Sequence, residues 1–122
     1  MKLAPFPRWA TLSLSMMICA LAGKAAADEI TTSILKANGC NNCHAQAEQI
    51  VGPAFDAVRK KYEGQKGALD MLANKVRLGG TGVWGQVAMP PNPQISDADL
   101  RLVLKAILAG ESTSGGSAPA RP

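Results

Sequence analysis

Cys40-Asn41-Asn42-Cys43-His44 limits what this chain can fold into more than any other stretch. Cysteines at i and i+3 lie on one face of a helical turn, within reach of two vinyl groups on one side of a porphyrin. Each thiol can become a thioether, and the histidine that follows can place a ring nitrogen on the iron. C-x-x-C-H is accordingly the attachment signature of a covalently held c-type haem. The competing readings ask for more than the chain offers. A redox dithiol calls for a βαβ context, and no such pattern is visible. A structural zinc needs four ligands. The only other cysteine is Cys19, and His44 is the one histidine.

The ends of the chain set the size of the domain. Lys2 and Arg8 precede an apolar run from Trp9 to Ala22, and Ala25-Ala26-Ala27 follows as a small-residue cleavage pattern. Residues 1–27 therefore read as a signal peptide, with the mature chain starting at Asp28 and exported to the periplasm. The apolar run is short for a membrane span, which needs about 20 residues, so no stable membrane anchor is expected. Removing Cys19 leaves Cys40 and Cys43 of the 3 cysteines, and no disulfide is expected. Removing Lys2, Arg8 and Lys24 from the 13 lysines and arginines leaves 10, against 9 acids. The precursor's net charge of +4 is thus no sign of nucleic-acid binding.

At the other end, residues 111–122 carry no large apolar side chain and read as a disordered tail. One small domain, residues 28–110, remains. Its aromatics are Phe55, Tyr62 and Trp84 alone. A domain of this size needs a staple, and a haem would supply the large flat apolar body that the core lacks.

Between the ends the periodicity is helical. Ile30, Ile34 and Leu35 form a stripe that stops near Asn38-Gly39. Ala54 to Tyr62 reads as a short helix after the Val51-Gly52-Pro53 loop. Ala68 to Leu78 is a third, with Leu69, Leu72, Ala73 and Val76 on its apolar face. Residues 79–93 are rich in glycine and proline and read as loop. Ser96 is a fit N-cap, with Asp97 and Asp99 at the positive helix start and a capping-box pattern. Leu100, Val103, Leu104, Ile107 and Leu108 then share one face until Gly110. The fold class is all-α, about four helices around one haem.

A six-coordinate iron needs a donor opposite His44, and Met71 and Met89 are the candidates within the mature chain. Met71 lies beside Leu72 in a helix, where methionine commonly fills core gaps. Met89 lies in Ala88-Met89-Pro90-Pro91-Asn92-Pro93, whose prolines limit the shapes the loop can take. A stiff loop loses little entropy on holding a weak thioether ligand, which favours Met89. The alternative leaves Met89 a loop hydrophobe and the iron open on one side.

Asn38-Gly39-Cys40 to His44, Val51-Gly52-Pro53-Ala54-Phe55, Gly82-Val83-Trp84-Gly85 and Met89-Pro90-Pro91-Asn92 together resemble the class I c-type cytochromes, particularly the small monohaem type of bacterial respiratory chains. The resemblance covers residues 29–110. It implies thioether attachment at Cys40 and Cys43, and His44 and Met89 as axial ligands. It implies that the Pro53 carbonyl accepts a hydrogen bond from the ligand histidine, fixing its ring and raising its basicity. Trp84 is similar to the tryptophan that donates toward a haem propionate, and Asn92 to the residue that bonds near the methionine sulfur. Lys75 or Arg77 could neutralise a propionate, or could be solvated helix charges. Gly80-Thr81-Gly82-Val83-Trp84-Gly85 spells a dinucleotide-binding pattern, but it follows a helix and lacks a βαβ unit. Arg59-Lys60-Lys61 reads as a solvated helix face more than as a dock for an acidic partner.

The function these readings imply is a soluble periplasmic one-electron carrier, not an enzyme, monomeric or in transient complexes. Its redox partners would be a quinol-oxidising complex and a terminal oxidase or periplasmic reductase. The alternatives are a subunit of a periplasmic dehydrogenase oxidising sulfite or an alcohol, and an open-iron sensor or peroxidase.

Overall fold

A computed structural model describes residues 12–111 and 113. The order is α1 (Leu12–Ala37), a 3-10 turn (Cys40–Asn42), α2 (Phe55–Tyr62), α3 (Ala68–Leu78) and α4 (Asp97–Ala109). Among the described residues there is no strand, only an isolated bridge between Gly80 and Met89. The architecture is all-α.

Helix α4 is the hub, packing against α1, α2 and α3. Its start follows from its first residues: the Ser96 Oγ accepts a hydrogen bond from the Asp99 N–H at 3.1 Å, meeting one of the orphan donors of a helix N-terminus. Its end is a Schellman turn. The Gly110 N–H donates to the Ile107 carbonyl and the Glu111 N–H to the Ala106 carbonyl, with Gly110 in the left-handed region at φ 75°. Between these caps, two faces of α4 close two parts of one core. Val103 and Ile107 meet Leu35 of α1 and Phe55 of α2. Leu100 and Leu104 meet Tyr62, Ala68, Leu72 and Ile95. Burial of each such aliphatic side chain contributes about 1.5–3 kcal/mol.

The first helix runs unbroken from Leu12 to Ala37, through the expected cleavage position. Alanine-rich sequence favours helix whether or not it packs. From Gly23 to Ile30 the helix is exposed apart from half-buried Asp28, and its packed part begins at Thr31. Thr113 is only 2% exposed and is hydrogen-bonded to Gln46. The rest of the expected tail, residues 112 and 114–122, lies outside the described residues, as do residues 1–11 of the expected signal peptide.

Candidate haem-binding site

The five-residue motif sits where α1 stops. Gly39, at φ 69°, turns the chain out of the helix into the 3-10 turn, so Cys40 and Cys43 share one short turn. The loop that follows is tied back by three backbone hydrogen bonds. The Gly52 N–H donates to the Cys43 carbonyl at 2.7 Å, Phe55 to Ala45 at 2.9 Å, and Asp56 to Gln46 at 3.0 Å. His44 lies within this closed loop.

Three groups fix its ring. The Nδ1–H donates to the Pro53 carbonyl at 2.7 Å, which leaves Nε2 with the free lone pair. The ring stacks on Phe55, with centroids 5.3 Å apart and planes 18° from parallel. Gly52 also lies against it: a Cβ at position 52 would fall 2.5 Å from His44 Cε1 and 2.9 Å from Nδ1 and Nε2. The chain thus uses glycine there because the imidazole occupies the space of a side chain.

The second methionine-bearing segment is held as firmly. Gly80 and Met89 exchange both backbone hydrogen bonds, at 3.0 and 2.9 Å, closing residues 80–89 into a loop. Gly79 permits this, since a side chain there would run into the Met89 carbonyl. The Asn92 N–H donates to the Val76 carbonyl at 3.0 Å in the last turn of α3, anchoring the proline segment to that helix.

Between these two loops lies a cavity of about 340 Å³, within the size range of small-molecule and cofactor sites. Cys40, Cys43, His44, Pro53, Trp84 and Met89 all line it, and its floor is formed by Leu35, Leu100, Val103, Leu104 and Ile107. Met71 does not line it and is 37% exposed. The donor set fits a porphyrin brought with its iron: two thiols and one imidazole from one loop, a thioether from the other, and apolar walls. Among the described residues no cluster of three or more His, Cys, Asp or Glu could hold a metal by itself.

No disulfide joins Cys40 and Cys43. Burial pushes the Cys40 thiol up, against a lowering by a backbone hydrogen bond, with Cys43 raising it further. An attacking cysteine of a redox dithiol is shifted the other way.

The remaining candidates separate. Trp84 is 38% exposed at the cavity wall, with its ring edge-on to Tyr62 at 6.5 Å. The Lys61 ammonium lies 5.3 Å from the Trp84 ring centroid, a cation–π contact that sequence reading missed. Lys75 lines the cavity. Arg77 instead donates to the Asp97 carboxylate and the Pro93 carbonyl, joining α3 to the start of α4. Asn92 is not among the cavity-lining residues. Its side-chain amide donates to the Pro90 carbonyl at 2.8 Å, so in this structure it braces the methionine loop from within.

No family model matches the chain. It is similar to cytochrome c-551 of Azotobacter vinelandii, at 44% identity over 66% of this chain and 96% of that relative. It is also similar to cytochrome c-552 of Hydrogenobacter thermophilus, at 42% identity over 79% of this chain and 94% of the relative. Among solved structures, wild-type cytochrome c552 of Nitrosomonas europaea superposes with a TM-score of 0.61 at 40% identity, over 64% of this chain and 96% of that one. The class 1 cytochrome MtoD of Sideroxydans lithotrophicus, 22% identical with a TM-score of 0.57, shares the fold. Identity of 40–44% across nearly the whole of such relatives accounts for the helices, the attachment turn and the cavity together: the chain belongs to the class I cytochromes c, which carry one covalently bound haem.

Proposed function

We propose that the protein is a periplasmic one-electron carrier whose iron is held by His44 and Met89, with the haem tethered through Cys40 and Cys43. The convergence of those four side chains on one apolar cavity is the observation that carries this reading. When bound, the haem supplies the one-electron ferric/ferrous couple. The chain's own residues do the rest. Pro53 holds the His44 ring in the tautomer with Nε2 free and raises its basicity. The bridge between Gly80 and Met89 and the prolines after it hold the thioether in a loop with little freedom to lose. Held by both His44 and Met89, the iron would have no place for a substrate to bind, and the two fixed loops would need to move little on electron transfer. Leu35, Leu100, Val103, Leu104 and Ile107 exclude water and disfavour the added positive charge of the oxidised state. Lys75 and Trp84 both line the cavity and would offer a propionate an ammonium and an indole N–H.

Export is part of the proposal. No helix among the described residues is long and apolar enough to cross a membrane. Residues 23–27 are exposed, so cleavage after Ala27 would remove no core contact of theirs. Redox proteins are the partners proposed: a quinol-oxidising complex as donor and a terminal oxidase or periplasmic reductase as acceptor, met through small, short-lived interfaces. A fixed place beside a dehydrogenase subunit is distinguished by co-purification of a larger catalytic chain.

The test is an optical spectrum of the wild type and Met89→Ala, matured in a periplasm. The far-red band that reports iron–methionine bonding should vanish in the variant while the haem stays covalently attached. Survival of the band would overturn Met89 as the ligand.

A further inference from the structure

Gln46 lies two residues beyond His44 and is gripped at three points. Its carbonyl accepts from the Asp56 N–H at 3.0 Å. Its side-chain Nε2–H donates to the Asp56 carboxylate at 2.6 Å. Its Oε1 accepts both from the Thr113 N–H at 2.9 Å and from the Thr113 hydroxyl at 2.5 Å. Thr113 is 2% exposed, although it follows the end of α4 in a segment with no large apolar side chain. Two hydrogen bonds to Gln46 tie it to the loop after His44.

We propose that Gln46, Asp56 and Thr113 form a clamp that positions His44, so that the segment after α4 helps to set the iron's ligand field. The proposal rests on His44 being an axial ligand. Between Gln46 and Asp56 the chain makes one closed loop, and that loop carries the groups in contact with the imidazole: Gly52, Pro53 and Phe55. Locking the two ends of the loop together limits how far the Pro53 carbonyl and the Phe55 ring can drift from His44. The bond to an ionised carboxylate is the strong kind. Leaving Oε1 partly buried without its donors costs more than an ordinary hydrogen bond contributes. The link to chemistry runs through the Nδ1–H bond to Pro53. Slackening it makes the imidazole a poorer electron donor, which disfavours the ferric state and raises the midpoint potential. Gln46 and Thr113 touch neither the cavity nor the ring, so they act as positioning residues.

The experiment uses full-length haem-loaded protein: wild type, Thr113→Val, Gln46→Met and Thr113→Ser. Thr113→Val removes only the hydroxyl donor and keeps the shape, so it remains informative if Gln46→Met fails to mature. Two quantities are read, the exchange rate of the His44 Nδ1 proton by NMR and the midpoint potential. Exchange should quicken about five- to tenfold in Thr113→Val, the scale of one lost hydrogen bond, and by more in Gln46→Met, which loses the side-chain bonds to both Asp56 and Thr113. The potential should move upward, and Thr113→Ser should restore both. A Thr113→Val protein in which only the tail's own amides exchange faster, with the His44 proton and the potential unmoved, overturns the clamp and leaves the reading of His44 intact. Equal behaviour of the serine and valine variants also overturns it. A wild type with no haem bound, or with no ligand-shifted His44 resonances, overturns both.

Discussion

Gly52→Ala tests the packing of the axial histidine with a single methyl group. The added carbon would stand 2.5 Å from His44 Cε1 and 2.9 Å from both ring nitrogens, well inside the spacing of non-bonded carbon atoms, about 3.5–4.0 Å. Either the imidazole moves or the loop does. If the ring moves, the 2.7 Å bond to the Pro53 carbonyl and the stack on Phe55 are both disturbed. Overpacking of this kind costs about 1–3 kcal/mol, and the hydrogen bond and the ring pair are each worth about 1 kcal/mol within that range. For a domain of this size each kcal/mol lowers Tm by about 4–8 °C, so Tm should fall by about 4–24 °C. The measurement is thermal unfolding of the haem-loaded variant, with the His44 ring resonances followed by NMR. Gly64→Ala is the comparison: position 64 has φ 74° but nothing within 4 Å of its Cβ, so it should lose stability without moving those resonances. Wild-type Tm and unmoved resonances in Gly52→Ala would refute the argument that the histidine is wedged against the glycine.

Other consequences follow from the same contacts. Leu100, 2% exposed between α4 and the cavity, should lose about 2–5 kcal/mol as Leu100→Ala in denaturant unfolding. Ser96→Ala removes the cap on the Asp99 N–H and should lower stability by about 1 kcal/mol, with the visible spectrum unchanged. Met71→Ala should keep the far-red band, because that side chain lies outside the cavity lining.

The helices from α2 onward could be read from the sequence because their signals are local. The apolar face of Ala68–Leu78 and the Ser96 cap of α4 lie within a few residues of one another, and the structure ends those helices where the patterns end. The start of α1 could not be read that way. Leader-like and domain-like residues have the same helix preference, so propensity carries α1 from Leu12 past Ala27 without a mark. The site was half legible. Cys40, Cys43, His44 and Met89 were singled out by chemistry and spacing, and all four line the cavity. What holds them was harder to see. Gly52 read as a loop residue, and its closeness to the imidazole appears only when the loop closes. The Gln46–Thr113 contact joins positions 67 apart, and no short-range pattern encodes it. Asn92 was singled out by its motif context alone; one amide N–H meets the Pro90 carbonyl, and the second N–H is left for the role that the resemblance implies.

The central claim is an iron closed on both faces by His44 and Met89. Carbon monoxide tests it most directly, because the gas binds ferrous haem only where a coordination site is open. The optical spectrum of the reduced wild-type protein should not change when the gas is added under native conditions, while reduced Met89→Ala should bind it. A native wild type that takes up carbon monoxide would contradict the account and move the protein from carrier to open-site haem protein.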